Sequence, residues 1–172
     1  LALLARIAPR RPIRRGPHQP PLSIVIAVHN GEALLATKLE ATLALAYGGE
    51  REVLVASDAS TDATDAIAAS FAGRGVRLVR SEPRAGKEAA QAAAVAHAKG
   101  AILVFTDVGA ELERDALLRL VEPFTDPDVG SVSSEDVVST SEGEGAYVRY
   151  EMALRRPESR ATTRFGLSGS CF

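Results

Sequence analysis

Short apolar runs recur along this chain, and each is followed by a stretch with helical spacing. That alternation constrains the fold more than any other feature. Leu22-Ser-Ile-Val-Ile-Ala-Val28, Glu52-Val-Leu-Val-Ala-Ser57, Val76-Arg-Leu-Val79 and Ala101-Ile-Leu-Val-Phe-Thr106 read as strands. The first is nearly continuous in apolar residues, as strands buried on both faces are, and the last is the most apolar of the four. Helical spacing follows over Ala33 to Tyr47, from Ser60 or Thr61 to about Phe71, over the Ala-rich Gly86 to Lys99, and over Glu113 to Phe124. Asn30 is placed to cap the first helix, and Ser60 or Thr61 the second. Gly48-Gly49, Gly73 with Gly75, and Gly100 are natural stops. Val129 to Ser133 reads as a fifth strand, Gly143 to Arg156 as a further helix, and Gly166 to Ser170 as a loop or strand entry. Strand–helix alternation at this spacing predicts right-handed crossovers and a mainly parallel sheet between helices, an α/β fold.

Composition agrees with a folded core and excludes several function classes. A length of 172 residues fits one domain or a generous piece of a larger one. With 46% apolar and 24% charged residues the chain is neither disordered nor collagen-like. A net charge of −2 excludes a protein built to coat nucleic acid. One cysteine, Cys171, excludes an internal disulfide framework and a cysteine-based zinc cluster. Aromatic residues at 5% leave little for base stacking.

The net charge averages two unlike regions. Arg6, Arg10, Arg11, Arg14 and Arg15 precede any acid, and Pro9, Pro12, Pro17, Pro20 and Pro21 prevent a regular helix among them. Residues 1–20 therefore read as a basic, proline-rich linker or membrane-proximal arm, and residues 21–172 as the domain. Two readings of the arm stay open: a solvated linker, or a positive-inside cluster behind a membrane helix. Leu1 to Ala8 is too short to span a bilayer, which takes about 20 residues. The expectation is a piece of a longer protein.

In a parallel α/β sheet, ligands bind at the carboxyl ends of the strands. The residues there are His29-Asn30-Gly31-Glu32, Ser57-Asp58 and Thr106-Asp107-Val108-Gly109. No Gly-x-Gly-x-x-Gly follows the first strand, which disfavours a dinucleotide site. Arg84-Ala-Gly-Lys87 lacks the first glycine and the final hydroxyl of a phosphate-binding P-loop. Asp58 ends a strand, where its carboxylate can accept from a base N–H or a ribose hydroxyl. Asp62 reads as a turn and capping residue. Asp107 suits a divalent cation that bridges phosphates, or else caps a tight turn. Lys87 opens a helix against its macrodipole: it is either an exposed lysine or a partner for an anion bound there.

The order of these segments resembles family 2 glycosyltransferases of the GT-A fold. Pro21-Leu-Ser-Ile-Val-Ile-Ala-Val-His-Asn-Gly-Glu32 is similar to the family's opening strand and Asn-Glu turn. Leu54-Val-Ala-Ser-Asp-Ala-Ser-Thr-Asp62 resembles its D-x-S-x-D turn, and Arg84-Ala-Gly-Lys-Glu-Ala-Ala-Gln-Ala-Ala93 its GK-x-x-A-x-N helix. Ile102-Leu-Val-Phe-Thr-Asp107 resembles the strand that enters the D-x-D site. Tyr150-Glu-Met-Ala-Leu-Arg-Arg156 and Gly166-Leu-Ser-Gly-Ser170 are similar to segments of the processive, membrane-associated branch of cellulose, chitin and hyaluronan synthases.

The resemblance implies a Rossmann-like GT-A domain, incomplete at its C-terminus, that carries the donor portion of an inverting hexosyltransferase. The implied donor is a nucleotide diphosphate sugar, a UDP-sugar by that analogy, and the acceptor a glycan or lipid. Asn30, Glu32, Asp58, Lys87 and Asp107 would line the nucleotide-sugar site, and Asp107 would hold Mg²⁺ or Mn²⁺. The implied location of the parent protein is the cytoplasmic face of the cell membrane, with no nucleic-acid partner. Two departures stand out. The D-x-D triplet is Asp107-Val108-Gly109, so its second acid is missing. Glu111 and Glu113 are nearby acids. The family's later acidic motif, source of its general base, does not occur before Phe172, so this length alone is expected to be inactive in transfer. The rival reading is a non-catalytic nucleotide-sugar-binding or scaffold module on the same fold.

Overall fold

A computed structural model describes residues 12–134 and Cys171. The first strand, β1 (Leu22–Val28), leads to helix α1 (Leu35–Leu43), and β2 (Arg51–Asp58) leads to α2 (Thr64–Ser70). A short 3-10 turn, Ala72–Arg74, precedes β3 (Val76–Ser81), which is followed by α3 (Lys87–Val95). Then come β4 (Ile102–Asp107), α4 (Ala116–Val121) and a 3-10 turn at Glu122–Thr125.

These four strands form one parallel sheet in the order β3-β2-β1-β4. The expected parallel α/β architecture is therefore present. In register, Leu22 faces Arg51 on one side and Ile102 on the other. The chain builds outward from β1 to β3, then returns to place β4 on the opposite side. The point where the strand order reverses lies between β1 and β4, and in open α/β sheets the ligand crevice lies outside the carboxyl ends of the strands at such a point.

Alternation along the strands divides the core in two. Leu22, Ile24, Ile26 and Val28 of β1, with Val53 and Val55 of β2, pack against Leu35, Leu39, Ala68, Leu117 and Val121. Val25, Leu54 and Ala56 point to the other face and meet Ala90 and Ala94 of α3. The Ala-rich sequence of α3 thus has a packing reason: small side chains let the helix lie close to the sheet. Gly100 has a comparable reason, since a Cβ there would collide with the backbone at Leu22 and Ser23.

Several element boundaries differ from the sequence expectation. Helix α1 begins at Leu35, and Asn30 does not cap it: the helix start is closed by Leu34 and Leu35 N–H donating to the Gly31 carbonyl at 3.0 and 2.9 Å. Asn30 adopts a left-handed φ of 51° and turns its side chain to another loop. Neither Ser60 nor Thr61 caps α2, which starts at Thr64 with its N–H donating to Asp62 Oδ1 at 3.0 Å. Helix α3 stops at Val95, because Lys99 and Gly100 N–H are drawn away to Ser23 Oγ at 3.1 and 2.8 Å. Pro123 tightens the end of the last helical segment into a 3-10 turn.

The expected fifth strand is absent at Val129–Ser133. The segment turns out of the 3-10 helix through Val129 N–H donating to the Asp126 carbonyl at 3.0 Å. It then borders an apolar groove of about 470 Å³ against Leu103, Phe105, Leu120 and Phe124, and makes no ladder with β4. Cys171 instead forms an antiparallel bridge with Thr106. The expected helix Gly143–Arg156, the Gly166–Ser170 segment, and Arg6, Arg10 and Arg11 lie outside the described residues. Within the described part of the arm there is no regular helix, and Arg14 N–H donates to Asp126 Oδ2 at 3.2 Å. Among the described residues no helix is long and apolar enough to cross a membrane.

Candidate functional site

Two loops at the carboxyl edge are laced together. His29 Nδ1 donates to the Asp58 carbonyl at 2.6 Å, and Asn30 N–H donates to Ser60 Oγ at 3.1 Å. Asn30 Oδ1 accepts from Thr61 N–H at 2.8 Å, and Gly31 N–H donates to Thr64 Oγ1 at 2.8 Å. Glu32 closes the series in both directions: its N–H donates to Asp62 Oδ2 at 3.0 Å, and its Oε2 accepts from Ala63 N–H at 3.0 Å. Asn30 and Glu32 thus work in part as ties between the β1 and β2 loops. Burial pushes the Asp62 carboxyl up, yet hydrogen bonds from Thr64 and the Glu32 N–H outweigh it and hold the group below its usual range. Asp62 is the turn residue that the sequence indicated.

Asp58 is only 4% exposed at the end of β2. Its Oδ1 accepts from Ala85 N–H at 2.8 Å and its Oδ2 from Gly86 N–H at 2.9 Å. The loop before α3 is therefore held by both oxygens of one carboxylate. Gly86 has φ 94°, a conformation that favours glycine at this bend. Arg84 Nε lies 3.8 Å from Asp58 Oδ2 with its side chain largely exposed, so it adds a cation to the rim. Sequence reasoning passed over Arg84, although it stands in the same loop as Lys87. Below this loop, Arg80 donates to Asp65, to Glu82 and to the Ser60 carbonyl. Glu82 and Asp65 hold its guanidinium above the ordinary arginine range.

Lys87 is the first residue of α3, and its Nζ lies 2.6 Å from Asp107 Oδ1 at the end of β4. The structure thus brings together two of the residues singled out from sequence. Both side chains are partly exposed, at 44% and 39%. A lysine at a helix N-terminus, unfavourable in isolation, finds its partner on a different strand.

Behind Asp107 lies a residue the sequence reading missed. Lys38 of α1 is buried, and its Nζ donates to Thr106 Oγ1 at 3.0 Å and to the Ala110 carbonyl at 2.5 Å. Burial pushes the Lys38 ammonium below the usual lysine range, while Cys171, Asp107 and Glu111 pull the other way. A signal was present: Lys38 shares the helical face of Leu35, Leu39 and Thr42, where an apolar residue is expected.

A divalent cation can be tested against these donors. Asp107 offers a hard carboxylate at the crevice mouth, and magnesium-type sites often need one or two carboxylates with substrate phosphates completing the shell. Gly109 supplies no second acid. Glu113 is engaged by Arg119 at 3.3 Å, and Glu111 is exposed. Among the described residues no group of three His, Cys, Asp or Glu side chains could hold a metal by itself. Asp107 alone supplies one of the one or two carboxylates that a magnesium-type site takes, and Lys87 lies 2.6 Å from it.

Comparison with known proteins places this geometry among relatives. The family model described as "Glycosyl transferase family 2" matches residues 23–170. The chain is 33% identical over 127 residues to the uncharacterized protein MT1568 of Mycobacterium tuberculosis, covering 70% of this chain and 40% of that protein. It is 31% identical over 146 residues to the beta-monoglucosyldiacylglycerol synthase of Synechocystis, covering 78% of this chain and 30% of the relative. The mannosyltransferase PcManGT from Pyrobaculum calidifontis, solved in complex with GDP-Man and Mn²⁺, superposes with a TM-score of 0.79 at 28% identity. That match covers 99% of this chain and 49% of the mannosyltransferase. The chain spans less than half the length of each of these proteins.

Proposed function

The chain belongs to glycosyl transferase family 2, and on that premise we propose that its carboxyl edge binds a nucleotide diphosphate sugar for inverting transfer to an acceptor hydroxyl. The observation that carries the proposal is the Lys87–Asp107 pair at the reversal of strand order, beside the loop that Asp58 holds. Cation and carboxylate side by side at a crevice mouth suit a diphosphate: the ammonium neutralises phosphate oxygens, and the carboxylate takes a ribose hydroxyl or a metal ion.

In this reading Asp58 keeps the 84–87 loop in place and faces the base or ribose. Asn30 and Glu32 shape the nucleotide edge through their ties to 61–63. Lys87 swings between Asp107 and the diphosphate. Asp107 would hold the Mg²⁺ or Mn²⁺, which when bound supplies positive charge to the leaving diphosphate. The Mn²⁺ and GDP-Man of the Pyrobaculum structure support a divalent cation and a nucleotide sugar here. They also put a GDP-sugar beside the UDP-sugar that the sequence resemblance implies. A lipid acceptor is supported by the similarity to a monoglucosyldiacylglycerol synthase. The processive, membrane-bound branch and a place at the cytoplasmic membrane face rest on the motifs at 150–156 and 166–170 and on the basic arm.

Titration calorimetry of the chain with UDP, GDP and their sugar derivatives, with and without Mn²⁺, tests the proposal. Saturable binding of at least one nucleotide diphosphate is expected, and binding of none overturns it. The second reading, a binding module without transfer, is favoured by Gly109 in place of the second acid. Release of free nucleotide diphosphate from a donor sugar in the presence of acceptor separates the two when it is measured on a longer protein that carries the later acidic motif, since this length alone is expected to bind without transfer.

A further inference from the structure

Among the described residues, Lys38 is set apart from the other cations by its burial. Its side chain is 5% exposed and leaves α1 on the face that carries Leu35, Leu39 and Thr42. An ammonium drawn under an apolar layer is costly unless acceptors meet it. The acceptors are Thr106 Oγ1 at 3.0 Å and the Ala110 carbonyl at 2.5 Å.

Those two atoms bracket Asp107. Thr106 is buried next to it in β4, in register with Ile26 at the middle of the sheet. Ala110 closes the turn after it, with its N–H donating to the Asp107 carbonyl at 3.1 Å. Between them Gly109 has no side chain, and a Cβ placed there would meet nothing within 4 Å. The turn is thus lightly packed from outside and fastened from beneath. On its outer side the Asp107 carboxylate meets Lys87, which is partly exposed.

We propose that Lys38 is a positioning residue of the nucleotide-diphosphate site: by holding Thr106 Oγ1 and the Ala110 carbonyl together, it fixes the 107–110 turn and the direction in which Asp107 presents its carboxylate. The inference rests on the reading of the carboxyl edge given above. No proton moves in this role. A neutral side chain of similar volume fills most of the same space but leaves Thr106 Oγ1 and the Ala110 carbonyl without the ammonium donor.

The test uses Lys38→Met, which nearly keeps the volume and is one heavy atom shorter, and Thr106→Val, which keeps shape and removes the hydroxyl. Each is made in the whole chain, checked for folding by thermal unfolding, and titrated with UDP and GDP in Mn²⁺. Lys38→Met should weaken nucleotide binding about tenfold or more, while its unfolding midpoint serves only to show that the chain is folded, because relief of a buried charge and loss of the donor to two acceptors act on stability in opposite directions. Thr106→Val should weaken binding less, and the double variant should be no weaker than Lys38→Met alone, since both cut one link. A folded Lys38→Met chain that binds as the unsubstituted chain does overturns the inference alone. Should Lys38→Met not fold, Thr106→Val decides: unchanged affinity overturns the inference and weakened affinity supports it. Failure of the unsubstituted chain to bind either nucleotide overturns the site reading and this inference with it.

Discussion

The Lys87 ammonium and the Asp107 carboxylate meet at 2.6 Å although they come from different strand–helix units on either side of β1. The contact joins the start of α3 to the end of β4 across the crevice where the strand order reverses. It stores opposite charges at the place where a diphosphate and its counter-cation would sit, so both groups can exchange each other for ligand without leaving a charge unpaired.

That exchange predicts distinct behaviour for the two partners. Lys87→Met should lower the affinity for UDP or GDP about tenfold whether or not Mn²⁺ is present, the size of one lost charge-assisted hydrogen bond. Asp107→Asn should erase the gain in affinity that Mn²⁺ gives the unsubstituted chain and leave metal-free binding nearly intact. Calorimetric titrations in Mn²⁺ and in chelator read both effects. Identical responses of the two variants would refute separate roles.

Asp58 gives a prediction about the loop itself. Both oxygens accept backbone N–H groups, from Ala85 and Gly86. Asparagine has one acceptor oxygen, and its amide would point an N–H at another N–H. One donor would be left unsatisfied, which costs about 1–3 kcal/mol. Asp58→Asn should therefore lower the thermal midpoint by roughly 3–10 °C and weaken nucleotide binding, as followed by circular dichroism and calorimetry. An unchanged midpoint would show that the 84–87 loop is held by other contacts.

The parallel sheet was legible because β1 is buried on both faces, because β1 and the half-buried edge strand β4 carry little but apolar residues, and because glycines mark the stops. Asp58 and Asp107 were legible as strand-end acids. What lay beyond reach was pairing across the sheet edge. Nothing local to Lys87 shows that it meets Asp107, and nothing near Asn30 shows that its side chain leaves α1 to bond Thr61 N–H. Capping rules reward the nearest free N–H, whereas the folded loops offered Asn30 a different one. Lys38 was missed for the opposite reason. Its neighbours Leu35 and Leu39 announced a buried face, but the acceptors that make burial of a lysine tolerable come from β4 and the turn after it. The apparent strand at Val129–Ser133 shows the limit of reading a short apolar run: Val129 and Val132 are half-buried, Gly130, Ser131 and Ser133 are exposed, and the segment makes no ladder with β4.

Glu52 makes stability depend on acid. Burial pushes its carboxyl up, but hydrogen bonds from Ser23 Oγ at 2.7 Å and Lys99 N–H at 2.6 Å, with the cations Arg77 and Lys99 nearby, outweigh burial and hold it below the usual range. The unfolded chain binds the proton more readily, so the group adds stability at neutral pH. That contribution is lost as pH falls from the ordinary glutamate range through the lower folded value. Glu52→Gln should be less stable than the unsubstituted chain near pH 7, and the gap should close at acid pH. Denaturant midpoints measured across that interval check the trend, and a gap that widens on acidification contradicts it.

Gly100 tests the amino end of the same sheet. A Cβ there would run into the backbone at Leu22 and Ser23, which are fixed in the central strand β1 and cannot give way as a side-chain tip could. Gly100 N–H also donates to Ser23 Oγ at 2.8 Å, so moving the loop outward breaks that bond. Gly100→Ala should cost about 1–3 kcal/mol, the usual size of overpacking strain. Gly73, in the exposed turn before β3, leaves open space for a Cβ, with nothing within 4 Å of it, and has a backbone that alanine tolerates. Gly73→Ala should stay within about 0.5 kcal/mol of the unsubstituted chain. Urea unfolding of the two variants side by side measures the difference. Because Gly100 lies at the end of the sheet opposite the crevice, nucleotide affinity of the folded Gly100→Ala chain should be unchanged. Equal stability of the two variants would mean that the loop before β4 does not press on β1.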